Sequence, residues 1–336
     1  PVIHTLIIDG NSLFKIGFHG VKNFYNDEQH VGAIFHFINT IKKSLIDEGY
    51  TKVVVFWDGP ENKLKRREIY PPYKVGRKRD TMREDSESFR YQHNRIKQYL
   101  EDLFVRQGEY EYAEADDCIA YYCHNSPKEK KTIYTVDKDL TQLISEDVKV
   151  YLASTRTELT HKDKIPLRHI SVPPSNIPLV KILVGDSSDN FGGIEKLGEK
   201  TLLKMFPKVV EEDINFDYIF DISREIINDF PKNVIANNIL NGKSREGKFG
   251  LDFYSMGAKL IDLKHPILKE ESKKEIDELI NSPLDPTDRH WKNVIKLMME
   301  DGLFRFLPKK DDGWSEYLQP FIRLGRTEKK KYKKLK

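Results

Sequence analysis

Residues 4–9 read His-Thr-Leu-Ile-Ile-Asp, residues 53–58 Val-Val-Val-Phe-Trp-Asp and residues 132–137 Thr-Ile-Tyr-Thr-Val-Asp. Each is a five-residue apolar run, rich in β-branched or aromatic side chains, that ends on an aspartate. The runs show no alternation, which predicts parallel strands buried on both faces. Helical patterns lie between them: Gly32 to Asp47, Phe89 to Phe104 and Asp116 to His124. Strands alternating with helices of this length predict a doubly wound α/β sheet. Such sheets bind ligands outside the carboxyl ends of their strands. One aspartate after a strand is an ordinary turn former; three delivered to the same edge point to chemistry.

The chain has 336 residues, enough for two domains and a sizeable core. Apolar content of 38% with 11% aromatic residues excludes intrinsic disorder. No run approaches the roughly 18–20 apolar residues of a membrane span. Pro1 to Asp9 has neither the basic region nor the cleavage site of a secretory leader, and Cys118 and Cys123 cannot build a disulfide framework. A cytoplasmic protein is the expectation.

Further acids cluster at Glu114-Ala115-Asp116-Asp117, at Asp137-Lys138-Asp139 and at Gly185-Asp186-Ser187-Ser188-Asp189-Asn190. With Asp9 and Asp58 they make nine carboxylates. At one sheet edge they would repel one another and raise one another's pKa unless cations are present. Oxygen ligands without a nearby His or Cys predict Mg²⁺ or Mn²⁺, not zinc. Two such ions about 3.5–4 Å apart suit phosphodiester displacement. A phosphatase with an aspartyl nucleophile would need a second Asp two residues after Asp9, where Asn11 stands.

The net charge of +3 conceals two basic patches. Lys63 to Arg83 holds nine basic residues against Glu68 and Asp80, and Arg323 to Lys336 holds eight against Glu328. The rest of the chain is net acidic, a distribution that suits a polyanionic partner. After Val150 prolines punctuate a loop-rich connection. From Leu179 helical patterning dominates, and the basic terminal run is expected to be disordered.

Asp9-Gly-Asn-Ser12, Arg66 to Arg77 (Arg-Arg-Glu-Ile-Tyr-Pro-Pro-Tyr-Lys-Val-Gly-Arg), Glu114-Ala-Asp-Asp117, Asp137-Lys-Asp-Leu140 and Gly185 to Asn190 occur in this order. Together they resemble the 5′→3′ exonuclease/flap endonuclease family, which includes bacteriophage 5′-nucleases and the 5′-nuclease domain of bacterial DNA polymerase I. The resemblance covers roughly residues 3–206. It implies a PIN-like α/β nuclease core over 1–180, with an arch and gateway over about 61–105. A mainly helical domain over 181–325 would follow, with a helix–hairpin–helix motif at 185–206, and then a basic tail at 326–336. It implies Asp9, Asp58, Glu114 and Asp116 at a first metal and Asp137, Asp139, Asp186 and Asp189 at a second, with Asp117 a further family acid.

On the same grounds Arg66, Lys74 and Arg77 would lie near the scissile phosphate, Lys74 and Arg77 acting catalytically with Asp137 and Asp186, and Tyr73 would stack on a terminal base. Lys74 to Ser88 would form the arch. Gly193, Lys196, Gly198, Lys200 and Thr201 would grip the duplex, with K⁺ at the hairpin, although Gly192, Glu195 and Lys196 replace the family's usual Pro, Pro and Gly. The implied function is a monomeric, Mg²⁺-dependent 5′-nuclease acting on branched or 5′-ended DNA and on RNA–DNA primer hybrids in replication. A single-strand DNA-binding protein or clamp is its candidate recruiter, and the host cytoplasm its location if phage-encoded. The alternative is a catalytically silent homologue that binds branched DNA.

Overall fold

The structure, a computed structural model, describes residues 2–77, 86–247, 249–310 and 312–336. The expected arch, Lys74 to Ser88, lies largely outside them. Among the described residues the central sheet has six strands: β1 (Ile3–Asp9), β2 (Lys52–Trp57), β3 (Arg106–Glu109), β4 (Glu129–Thr135), β5 (Val148–Leu152) and β6 (Thr157–Leu159). Their order is β3-β2-β1-β4-β5-β6, all parallel except the antiparallel β6 at one edge. The order reverses direction between β1 and β4, so the crevice of a doubly wound sheet opens at the carboxyl ends of those two strands.

The unalternating runs are explained by cover on both sides. Leu6, Ile8, Val53, Val55 and Trp57 enter one core, and Ile7, Val54, Phe56, Ile133 and Val150 enter the other. The first core is covered by α1 (Gly10–Gly20), α2 (Gly32–Glu48) and, after α3 (Leu64–Ile69), by α4 (Glu87–Asp102). The Ser86 hydroxyl caps α4 by accepting the Phe89 amide at 3.1 Å. The second core is covered by α5 (Ala115–His124), α6 (Ile177–Val184) and the helices that follow: α7 (Glu199–Met205), α8 (Phe216–Asp229), α9 (Val234–Asn241), α10 (Asp252–Ile261) and α11 (Glu270–Asn281).

The last helices return to the first face. Val294 and Met298 of α12 (Trp291–Glu300) and Tyr317, Leu318, Phe321 and Leu324 of α13 (Gly313–Lys333) are buried among side chains of α1, α2 and α4. The helical region therefore packs on both faces of the sheet. The terminal segment, expected to be disordered, is instead helical to Lys333. Its anchor is Glu328, buried at 1% exposure, which accepts Arg106 Nη2 at 2.9 Å and the Leu284 amide at 3.3 Å. Basic composition alone does not reveal one acid that is buried and paired.

The sheet's amino-terminal edge is a polar seam. Glu129 accepts Thr5 Oγ1, Lys52 Nζ and Tyr122 Oη at 3.0, 2.6 and 2.7 Å. Lys52 also donates to the Ile280 carbonyl, and Arg106 to those of Leu279 and Ser282. The strand starts are thus fastened to α11 and α13, away from the aspartate-bearing ends.

A second buried pair ties α3 to α5. The Arg66 guanidinium makes two bonds to the Asp117 carboxylate, at 2.5 and 2.8 Å, and others to Glu114 and the Leu260 carbonyl. Asp117 Oδ1 also accepts the Ile267 amide at 3.0 Å. Removing one partner of such a pair strands a buried charge. Arg66→Ala is expected to lower the unfolding free energy by about 3–5 kcal/mol in urea titration, with Arg66→Lys recovering part of the loss.

His93 packs against Phe14, Trp57 and Phe89, and burial, aided by Lys97, pushes its pKa down to about 4. The folded state then binds fewer protons than the unfolded chain between pH 6.5 and 4. Stability present above pH 6.5 is lost as pH falls through that window, by up to about 2–3 kcal/mol. Unfolding curves between pH 7 and 4 should show this slope in the native protein and less of it in His93→Phe.

Candidate metal centre and substrate gateway

Because β1 lies between β2 and β4, its terminal Asp9 is flanked by Asp58 and Asp137. Asp9 is buried and accepts Ser12 Oγ at 2.6 Å and Thr135 Oγ1 at 2.9 Å. Asp58 receives the Ala115 amide at 2.8 Å, which fastens the start of α5 to the end of β2. Asp116, in the first turn of α5, faces Asp137 and Asp9 electrostatically. Burial, reinforced by Asp58, pushes the Asp9 pKa up to about 6. Burial, then Asp137 and Asp9, raises that of Asp116 well above the usual carboxylate range. Burial raises Asp58 also.

The second group is tighter. Carboxylate oxygens of Asp139, Asp186 and Asp189 lie within 4.8 Å of one another, close enough to share one cation. Asp137 turns the chain here by accepting the Asp139 amide at 2.8 Å, and Asp186 does the same for the Ser188 amide at 2.9 Å. Lys181, reaching over from α6, contacts Asp139 and donates to Asp186 at 3.1 Å. Burial and Asp137 lift Asp139 to about 7 despite that lysine, and burial lifts Asp189 to about 6. Burial would lift Asp186 too, but Lys181 and Ser188 outweigh it and hold it low. Among the described residues no hydrogen-bond donor reaches the buried Asp189 Oδ1. An all-oxygen set, raised carboxylate pKa values and an orphaned buried oxygen fit hard divalent cations. Among the described residues only this triad closes to single-ion spacing; Asp9, Asp58, Asp116 and Asp137 stand near one another without doing so.

Glu114 is engaged elsewhere. It accepts Arg66 Nη1 at 2.8 Å, Lys74 Nζ at 2.7 Å and Tyr73 Oη at 3.0 Å. Burial would raise its pKa, but Lys74 and Arg66 hold it below the usual value. Lys74, in turn, is opposed by burial yet raised by Glu114, Tyr73 and Asp189, and its Nζ stands 4.0 Å from Asp189 Oδ1. The gateway turn thus delivers its lysine between the two acid groups. Arg66 lies behind it, 5% exposed and fully bonded to Asp117, Glu114 and Leu260, so neither Arg66 nor Asp117 faces the crevice as a free group. Tyr73 is buried, with Lys74 Nζ 4.8 Å and the Arg66 guanidinium 5.8 Å from its ring centre. Arg77 is exposed at the end of the described stretch.

Beyond the triad the chain makes a short antiparallel hairpin, Gly185–Asp186 against Phe191–Gly192, between α6 and α7. Gly193 is buried there, and a Cβ on it would stand 2.2 Å from the Val184 carbonyl carbon. Its small size serves backbone packing, where the sequence suggested approach to a phosphate. Lys196 and Lys200 are exposed, Gly198 opens α7 with free space around it, and Thr201 is half-buried. Lys196 sits at φ +67°, a left-handed conformation that favours glycine. Lys181 escaped the sequence reading, although one cation in the apolar helix Ile177–Val184, five residues before Asp186, was a visible signal.

Comparison with known proteins agrees with this architecture. A family model described as the 5′-3′ exonuclease, N-terminal resolvase-like domain, matches residues 4–168. The 5′-3′ exonuclease of Aquifex aeolicus is 32% identical over 205 residues, covering 60% of this chain and 68% of that protein. DNA polymerase I of Bacillus subtilis is 32% identical over 207 residues, but this chain spans only 23% of that protein's length. Among solved structures, the D15 protein of bacteriophage T5, co-crystallized with metal ions, superposes with a TM-score of 0.58 at 16% identity, covering 96% of this chain and 99% of that one. Human GEN1 in complex with Holliday junction DNA gives 0.56 at 14% identity, covering 95% and 72%. At such identities the two structures speak to fold alone, and both share it. On the strength of its relatives in sequence, the chain belongs to the 5′-3′ exonuclease family.

Proposed function

We propose that this chain is a structure-specific 5′-nuclease, acting as 5′→3′ exonuclease and flap endonuclease on DNA and on RNA primers paired to DNA. One observation carries the reading: carboxylates from three strand ends and the Asp139–Asp186–Asp189 triad converge where the sheet order reverses, with Lys74 held between them. The triad would hold one Mg²⁺, with Mn²⁺ as substitute, and Asp9, Asp58, Asp116 and Asp137 a second, Glu114 joining them if Lys74 lets it go. Two such ions, when bound, would supply an activated water and stabilise the leaving oxygen. Lys74 places positive charge where a phosphate gains negative charge, and exposed Arg77 extends it toward the incoming strand. Exposed Lys196 and Lys200, with the amides at the start of α7, suit the phosphates of the flanking duplex. K⁺ at the hairpin belongs to the same proposal, as do a replication role in primer or flap removal, a monomeric state, cytoplasmic location, and recruitment by a single-strand DNA-binding protein or clamp.

The test is cleavage of a 5′-labelled flap duplex. Mg²⁺ should support cutting near the junction and EDTA abolish it. Asp186→Asn should lower the single-turnover rate by about 10²-fold or more while leaving flap binding in EDTA within about threefold. Flap-selective binding without cutting in any divalent ion would leave a branch-recognition protein instead.

A further inference from the structure

Two loops that come from distant parts of the chain meet beside the triad, and one side chain joins them. Asn190 ends the turn Ser187–Asp189 in a left-handed conformation, φ +59°. Its side-chain amide nitrogen donates to the Pro72 carbonyl at 2.9 Å and the Val75 carbonyl at 2.6 Å, so one NH₂ group straddles the gateway turn. The Lys74 amide donates back to the Asp189 carbonyl at 3.3 Å. The Tyr70 hydroxyl, which donates to Glu246 at 2.5 Å, also reaches the Asn190 carbonyl at 2.8 Å. Lys74 itself is held at φ +51°, a conformation a lysine rarely keeps without outside restraint.

We infer that Asn190 is a positioning residue, a latch that fixes the backbone of Lys74 against the Asp186–Asp189 loop before substrate arrives. Turn geometry alone does not require it, since glycine satisfies a left-handed φ at no steric cost. What glycine lacks is the amide. Both hydrogens of that amide are used on carbonyls that flank Lys74, one on each side of it in sequence. With them in place, Lys74 Nζ reaches Glu114 at 2.7 Å and stands 4.0 Å from Asp189. Without them the gateway turn and the acid loop would keep, among the described residues, the amide bond from Lys74, the long Lys74–Asp189 ion pair and the contacts of Tyr70 with Asn190 and Phe191. Asn190→Asp keeps shape and tolerance of the left-handed region but points carboxylate oxygens at two carbonyls. Asn190→Gly keeps the backbone and deletes the donors.

The inference rests on the nuclease reading for its consequence, although the latch itself does not. Amide exchange in the protein without divalent ions reads the latch directly: the Lys74 amide should exchange about tenfold faster or more in Asn190→Gly, with the melting temperature kept. Single-turnover flap cleavage reads the consequence. Both variants should cut about 10–10²-fold more slowly, while the Kd for the flap changes less than about threefold. In a Lys74→Ala background Asn190→Gly should cost less than about threefold more, because its effect passes through Lys74. Native exchange and native cutting in Asn190→Gly would overturn the inference, as would a penalty that adds in full to Lys74→Ala. If Asn190→Asp does not fold, Asn190→Gly decides alone. If the native protein fails to cut any flap, the nuclease reading falls, and exchange still decides the latch.

Discussion

Mutual repulsion among carboxylates at one edge of a sheet is the constraint around which this molecule is arranged. The strand order places Asp9 between Asp58 and Asp137, and α5 adds Asp116 behind them. In water such a group would scatter. Here two hydroxyls, the Ala115 amide and the backbone turns at Asp137 and Asp186 hold the acids where repulsion is greatest. Their raised pKa values record burial first and mutual repulsion second. Stability is given up at this edge and regained at the other, where strand starts and C-terminal helices share a seam of buried ion pairs and hydrogen bonds.

Two lysines answer part of the demand. Lys181 lies across Asp139 and Asp186, and Lys74 between Glu114 and Asp189. Each comes from a different element, one from a rigid apolar helix and the other from a turn. An ammonium carries one charge and a divalent ion two, so these side chains hold the acids together without meeting the whole deficit. Arg66 serves differently. It is a fixed counter-charge for Asp117 and Glu114 behind the site, and its planar guanidinium suits that bidentate duty.

Much of this was legible in the chain itself. Apolar runs that end on aspartate announced strands buried on both faces, and both cores take alternate residues of each run. The family resemblance grouped Asp139, Asp186 and Asp189 with Asp137 at one metal, and the structure brings the first three to single-ion spacing. What composition and spacing could not show were pairings settled in three dimensions. The resemblance put Arg66 near the scissile phosphate and Tyr73 on a terminal base, yet both are buried against Glu114. The tail read as solvated because the one acid in it, Glu328, gives no hint that Arg106 waits 222 residues away in sequence. Asn190 was only the last letter of a motif; it ends a turn, and its second duty depends on another turn more than a hundred residues upstream.

The path of the helical region around the sheet bears on how such a chain can be divided. The family model spans residues 4–168, and by sequence that stretch has the look of a self-standing module. Yet Ile182 and Leu183 of α6 lie in one core, while Phe321 and Leu324 of α13 lie in the other. Cutting after residue 168 would uncover both faces of the sheet at once and leave Lys52 and Arg106 without the carbonyls that receive them. Sequence likeness and folding autonomy therefore have different borders here: the stretch that the family model recognises is shorter than the one that must be made as a whole.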